Sequence, residues 1–442
     1  MAIEVLTNIV AVVVVLGIMI LVHEWGHFVA AKFFGVRVEI FSFGFGPRLW
    51  GWRRGPTDYR ISALPLGGYV KMAGDNPAEE RSGAPDEFLS KPRWQRAIIA
   101  VAGPAMNTVT AMALLTATFL LVGVPYPAYL SRPVQVVAFP KHALGASAGI
   151  QPGDRLVEID GIKNPTWEQV RVYLAGAKPG TEIRLVFDRN GEPLRVTLSP
   201  PDPHEAGTIL GFPPTAAIVE QVAPGMPAER AGLRTDDEIV VVNGQPVVAW
   251  AQLVEAIRQS NGQPVELTVR RGDRLVGLHI KPVQAQVGHG ETVWQIGTLP
   301  RPEVIYRRLS FPQAVEQGVF TSAGVTRQIV GVVGQLFLGR VSLRQVQSVI
   351  GIARESGNAV RRGPVDLINL MAVISLNLAI LNLLPIPILD GGHVLLLAVE
   401  GSLRRDLSVT VKERFVQVGL VFLLVIFAIV MYNDVLRLLP NR

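Results

Sequence analysis

No cysteine occurs in the 442 residues, which excludes disulfides and thiolate metal sites, so any metal would need histidine and carboxylate ligands. Charge is also scarce. Charged residues make up 18% of the chain against 49% hydrophobic, and the mean hydropathy is +0.33, a balance high for a soluble protein. Membrane-spanning segments are therefore expected. The net charge of +6 and the pI of about 9.7 do not point to nucleic acid, because the basic residues concentrate in short loops beside apolar runs. Missing as well are a basic stretch ahead of the first apolar run and an A-x-A-like site after it. That run reads as a permanent helix rather than a cleaved leader.

Four uncharged apolar windows are long enough to cross a bilayer, at residues 5–22, 97–124, 367–389 and 415–433. Residues 32–96 carry eleven Lys and Arg, and Arg404, Arg405, Lys412 and Arg414 precede the last window. By the positive-inside rule both loops face the cytoplasm, leaving the termini and the long middle region outside. A further apolar stretch at 311–343 is interrupted by Arg327, Gln328 and Gln335. It reads as an amphipathic helix on the outer membrane surface, because a fifth crossing would carry the catalytic end of the third window to the wrong side.

Residues 134–283 are more polar, rich in Gly and Pro, and contain short β-type runs. They also repeat. Ala148-Gly149-Ile150-Gln151-Pro152-Gly153-Asp154 through Gly161 recurs 83 positions later as Ala231-Gly232-Leu233-Arg234-Thr235-Asp236-Asp237 through Gly244, and Trp167 and Trp250 keep the same offset. Such a repeat is one small domain duplicated. Each copy resembles a bacterial PDZ domain, which implies peptide recognition by strand addition or a gating role; one copy acting only as a spacer remains open. The second copy departs from the pattern, with Thr235-Asp236-Asp237 where Pro-Gly-Asp is usual.

The chemistry is carried by His23-Glu24-Trp25-Gly26-His27, an H-E-x-x-H motif at the end of the first window. On a helix, i and i+4 project both imidazoles from one face toward a shared zinc ion, and Glu24 stands where it can take a proton from metal-bound water. Ionisable residues in an apolar helix are costly and by default functional. Eighteen residues separate Val5 from His23, about 27 Å at the helical rise, which puts the motif toward the inner edge of the hydrocarbon layer. A third ligand is needed, and Asp390 is the candidate, in Asn382-Leu383-Leu384-Pro385-Ile386-Pro387-Ile388-Leu389-Asp390-Gly391-Gly392-His393. Pro385 and Pro387 end regular helix among apolar residues, which is tolerated where freed backbone groups face protein or a water-filled cavity. Taken alone, Asp390 has a helix N-cap as its lesser alternative. His393 is left out, since three ligands and a water complete the zinc.

Together these segments resemble the site-2 protease family of intramembrane zinc metalloproteases, in its tandem-PDZ bacterial branch. The resemblance covers nearly the whole chain. It implies His23, His27 and Asp390 as Zn2+ ligands, Glu24 as general base, and Asn382 as an amide that holds substrate, with a polar link between helices as the alternative for Asn382. Asn107, in Gly103-Pro104-Ala105-Met106-Asn107, matches a small-residue family motif, with helix packing an equally good account. Residues 36–72 resemble a family β-hairpin that dips into the membrane, whose Gly67-Gly68-Tyr69 edge would pair with an unwound substrate; a plain cytoplasmic hairpin is the alternative. Ser348-Val349-Ile350-Gly351-Ile352 departs from the family's Gly-Pro-[IV]-Gly-Ile turn.

The expected fold is a polytopic α-helical membrane protein with four transmembrane helices, a membrane-associated β-hairpin and two inserted PDZ-like α+β domains. Residues 1–35 hold the first span, 36–95 the cytoplasmic segment, 96–125 the second span, and 130–202 and 213–284 the PDZ copies. Outer surface helices follow at 305–362, the third span with its LDG motif and following helix at 365–403, and the fourth span at 414–437. The expected function is cleavage of single-pass membrane proteins after prior trimming, with the PDZ pair as a size filter that binds outer substrate segments. The resemblance implies anti-sigma-factor substrates, signal-peptide remnants as a second class, and a bacterial inner-membrane location with the PDZ pair in the periplasm. A membrane metal transporter and a catalytically inactive PDZ scaffold are the alternatives.

Overall fold

The computed structural model describes residues 2–76, 82–140, 142–202, 209–287, 291–301, 303–339 and 349–438. The chain divides into two units, residues 1–124 with 308–442, and residues 125–307.

The first unit is helical. Its helices are α1 (Ala2–Phe33), α2 (Arg93–Leu121), α3 (Phe311–Phe337), α4 (Val349–Arg362), α5 (Pro364–Leu383), α6 (Asp390–Leu403) and α7 (Val409–Leu438). Among the described residues, four stretches are long and apolar enough to span a membrane: Ile3–Phe33, Arg93–Leu121, Pro364–Leu383 and Val409–Tyr432. They coincide with the four apolar windows of the sequence. A helix satisfies its own backbone groups, so even the β-branched run Val12-Val13-Val14-Val15 remains helical where water is absent. Helix α3 is not among the four. Its Ala314 is buried with Ala111, Leu115 and Phe119 of α2 and Ala372 and Leu376 of α5, and Gly318 lies against Thr116. Arg327, Gln328 and Gln335 stay exposed. The altered turn begins outside the described residues at Ser348, and Val349 onward is already helix α4.

Between α1 and α2 lie two long antiparallel strands, β1 (Val38–Arg54) and β2 (Thr57–Met72). They depart from the simple hairpin expected. Residues 40–43 pair on one side with 58–61 and on the other with 68–71, so Phe41 faces both Tyr59 and Val70, while Trp52 to Arg54 pair back on Tyr59 to Thr57. Two strands thus fold into four paired segments joined by three ladders, in the order 68–72, 38–43, 57–62 and 48–54. The segment 68–72 lies at the edge of this sheet.

In the second unit the repeat becomes two sheets of identical order. Strands Ile162–Lys163, Arg155–Ile159, Ile183–Arg189 and Glu192–Leu198 form one, and Gln245–Pro246, Glu238–Val242, Val265–Arg271 and Arg274–Ile280 the other, each with a ten-residue helix, Trp167–Gly176 or Trp250–Gln259. Each has its own buried core. The first core takes in Ile209 and Leu210, and the second Ile296, so both extend past the boundaries at 202 and 284. The odd Thr235-Asp236-Asp237 also has a physical account. Gly153 and Asp236 both adopt positive φ, 101° and 71°, a region that Asp tolerates better than most side chains.

The next residue is the same in both copies. Arg189 Nε and an Nη donate to Asp154 at 2.8 and 2.7 Å, and Arg271 makes the same fork on Asp237 at 2.7 Å for each bond. The arginines also bind the Gly149 and Gly232 carbonyls, tying loop to strand. Hydrogen bonds from Arg189 hold the buried Asp154 carboxyl below its ordinary pKa against the effect of burial. A carboxyl with a lowered folded pKa adds stability above its unfolded value and loses it as pH falls through the folded one. Asp154→Asn is therefore expected to cost the first copy about 1.5–3 kcal/mol at pH 7. Hydrogen exchange of strand Arg155–Ile159 measures this, and its gap from wild type should narrow as pH drops below about 4; a pH-independent gap would refute the ion-pair origin.

Candidate active site

Helix α1 presents His23 and His27 on one face, both buried, toward α2. The approach is close because Gly26 lies between them: a Cβ there would stand 2.3 Å from the Ala102 carbonyl oxygen. On α2, Gly103 faces the imidazoles. A Cβ at Gly103 would lie 2.4 Å from His27 Nε2 and 2.8 Å from His23 Nε2. The missing side chain leaves the space in front of both nitrogens open.

The tautomer of His27 is set by its partner. Its Nδ1 lies 2.7 Å from the Ile99 carbonyl oxygen, which can only accept, so Nδ1 carries the proton and Nε2 of the neutral ring has a free lone pair. Helix α6 brings the carboxylate. Asp390 is its first residue and Leu389 its N-cap, so Asp390 is not itself the N-cap that the sequence allowed. Its oxygens instead face the imidazoles, with Oδ2 3.0 Å from His23 Nε2 and Oδ1 3.4 Å from His27 Nε2, while the two Nε2 atoms are 3.2 Å apart.

These three residues form the cluster able to hold a metal among the described residues, and His393 is not part of it. The fit to zinc is good. Ligand atoms about 2.0–2.2 Å from a tetrahedral zinc stand about 3.3 Å from one another; the two Nε2 atoms are 3.2 Å apart, His23 Nε2 is 3.0 Å from Asp390 Oδ2, and one ligand atom from each of the three residues lies within 4.8 Å of the others. Asp390 Oδ2 is buried and accepts no hydrogen bond, an oxygen left for a cation.

Glu24 lies on the adjoining face of α1, beside the edge of the sheet. A Cβ on Gly68 would be 3.3 Å from Glu24 Cγ. Of the three hairpin residues singled out in the sequence, Gly68 is thus brought to the site. Gly67 and Tyr69 pack against Phe45, whose ring stacks on Tyr69 at 5.9 Å. Asn382, near the end of α5, does reach the cluster, with Nδ2 3.4 Å from His23 Nε2.

Sequence reasoning missed Gly103 and Gly26, and it gave Asn107 no specific contact with the site. Asn107 is fully buried and its side-chain Nδ2 lies 3.3 Å from His23 Nδ1. A small residue one step before a proline in an apolar helix was the signal available for Gly103.

Paired imidazoles, a carboxylate and a neighbouring glutamate on long apolar helices are the outline of a metallohydrolase built into a membrane. Comparison with known proteins identifies which kind. Peptidase family M50 matches residues 11–426. Protease RseP of Yersinia pestis is 34% identical, with 98% of this chain and all of that protein aligned. The regulator of sigma-E protease RseP of Escherichia coli K12 is 33% identical over 96% of this chain and 98% of its own. The chain belongs to peptidase family M50, the site-2 proteases, and is an intramembrane zinc metalloprotease.

Gly103→Ala places a methyl group in the space in front of both Nε2 atoms. It is expected to abolish stoichiometric zinc in the purified protein, read by elemental analysis, while Ala105→Gly at a nearby position of α2 leaves zinc content unchanged. A fully zinc-loaded Gly103→Ala protein would show that the metal lies elsewhere.

Proposed function

We propose that this protease cuts single-pass membrane proteins of the anti-sigma-factor type, with signal-peptide remnants a second class, in a bacterial inner membrane after another protease has trimmed their outer part. His23, His27 and Asp390 hold the zinc, and Glu24 is the general base. The observation that carries the catalytic part of this reading is the convergence of the three ligand atoms beside Glu24 and a sheet edge; the substrate class is supported by the likeness to regulators of sigma-E protease.

When bound, zinc supplies a Lewis acid that acidifies water and polarises a carbonyl. The rest of the work falls to the chain. The Ile99 carbonyl keeps the His27 proton on Nδ1 and so keeps Nε2 free. Glu24 takes a proton from the attacking water and passes it to the leaving amine, a role worth about 10²–10⁴ in rate. Asn382 offers its amide to the substrate backbone or developing oxyanion, supported by its place at His23.

A substrate helix hides its peptide bonds behind side chains and i-to-i−4 hydrogen bonds, so it must be unwound to be cut. The edge at residues 68–72 supports strand pairing as the means, since an extended peptide laid along it passes the Glu24 carboxylate. Gly67 and Tyr69 contribute to the shape of that edge through Phe45. The two repeated domains of residues 125–307 are PDZ modules that bind outer substrate segments and exclude untrimmed ones, a reading supported by their PDZ-like sequence pattern. We place them in the periplasm and the zinc near the cytoplasmic face, with α3 and α4 as amphipathic helices toward the outer surface, on the positive-inside pattern and the depth of His23.

The test is reconstitution with a tagged single-span substrate. Glu24→Gln should keep a full complement of zinc and lose cleavage by about 10²–10⁴. Equal cleavage by both proteins would overturn the base assignment. A substrate carrying an intact folded outer domain should be cut more slowly than its trimmed form, and a variant lacking residues 130–284 should lose that discrimination.

A further inference from the structure

His23 differs from His27 in what stands behind it. His27 Nδ1 is backed by a carbonyl, an acceptor that leaves no choice of tautomer, whereas His23 Nδ1 is backed by the side-chain amide of Asn107 at 3.3 Å. An amide offers either a donor or an acceptor, depending on which way it is turned. In the orientation present, Nδ2 faces the ring, and an N–H donated to Nδ1 would leave the ring proton on Nε2. That is the nitrogen facing Asp390, His27 and Asn382. A proton there is incompatible with ligation, which needs the Nε2 lone pair and therefore a proton on Nδ1.

Nothing else holds the amide in this orientation at its oxygen. Asn107 Oδ1 is buried without a hydrogen-bond partner, so a half-turn of the amide breaks no bond at Oδ1 and brings that oxygen to His23 Nδ1. The backbone is meanwhile fixed in place. Ser375 Oγ on α5 donates to the Asn107 carbonyl at 2.8 Å, and Asn107 has no exposed surface. A polar side chain buried in a span, pinned by its backbone and facing one ring nitrogen, is more than a packing residue.

We propose that Asn107 is a positioning residue for the zinc: its Oδ1 accepts from His23 Nδ1–H and so selects the tautomer whose Nε2 lone pair faces the metal. The two histidines of the motif are then backed by acceptors from the same helix, the Ile99 carbonyl for His27 and the Asn107 amide for His23. Partners of this kind tune affinity by orienting the ring and raising its basicity. The proposal rests on His23 being a ligand.

The experiment measures zinc affinity by chelator competition on the full-length protein, independently of cleavage. Asn107→Leu keeps the volume and removes the acceptor, and it should weaken zinc by about 10- to 100-fold. Asn107→Asp restores an acceptor and should stay near wild type. Should the leucine variant fail to assemble, Asn107→Ala carries the same prediction. Wild-type affinity in the leucine or alanine variant overturns the proposal, and so does an equal loss in Asn107→Asp, which would mean that the amide acts as donor or as packing. His23→Ala separates the two levels. If it keeps zinc, the ligand assignment itself fails; if it loses zinc while Asn107→Leu keeps it, only the role of Asn107 fails.

Discussion

The distance between α1 and α2 is the constraint on which the rest of this protein depends. Inside a bilayer no hydrophobic force drives two helices together, since lipid tails are as apolar as leucine, and contact relies on small residues that let backbones approach. Gly26 and Gly103 provide that approach from opposite sides. With Gly26 against Ala102, the imidazoles on either side of it reach the α2 backbone, and one of them finds the Ile99 carbonyl. With Gly103 opposite, space remains between rings and helix. One glycine brings the ligands in and the other keeps their centre empty.

The third ligand raises a different difficulty, because Asp390 must arrive where helix α5 has already ended. The chain solves it with a short irregular turn whose backbone groups bond among themselves: Ile386 N–H to the Leu384 carbonyl at 2.7 Å, Leu389 N–H to Ile386 at 3.2 Å, and Gly392 N–H to Leu389 at 2.9 Å. Groups left unbonded at such depth would each cost several kcal/mol. Ile388 adopts a φ of 79°, an unusual conformation for a β-branched residue, so the turn carries strain next to the carboxylate it places. Gly391 and Gly392 then allow α6 to start against that turn, within 2.3 Å of the Leu383 and Ile386 carbonyl oxygens by their missing Cβ positions. Further along α6, buried Glu400 holds Lys412 of α7 at 2.7 Å and lies 3.9 Å from Arg96 of α2, which ties the helix that carries Asp390 to its neighbours.

Much of this was legible in the sequence, for reasons that differ by feature. Helical spans announce themselves through length and apolarity alone. The His23 to His27 spacing is a property of one helix, and the Asp154 and Asp237 loops are a property of one repeated strand and turn. What stayed hidden involves two elements at once. The double pairing of residues 40–43 is invisible in β1 or β2 taken singly, because alternation says which face is buried but not how many neighbours a strand has. Gly103 and Asn107 look like any small and polar pair in a packed span until α1 is laid beside them. The cores likewise reach Ile209, Leu210 and Ile296, apolar residues that lie beyond the repeated pattern and so went uncounted.

The same geometry explains why the glutamate is found where it is. Glu24 follows His23 directly, so on a helix it points about 100° away from the ligand face, toward whatever packs on the adjoining side. In this protein that neighbour is the sheet edge, where Gly68 lies against the Glu24 side chain. An edge strand has backbone groups free of sheet partners, and a strand added to it would be held by those groups. The carboxylate therefore sits at the seam between the edge and the three ligands, with Asp390 at 18% side-chain exposure the most open of those three. Water and peptide have to meet at that seam. Neither the helix pair nor the sheet alone would bring them together, and the glutamate joins the ligand helix to the edge at Gly68.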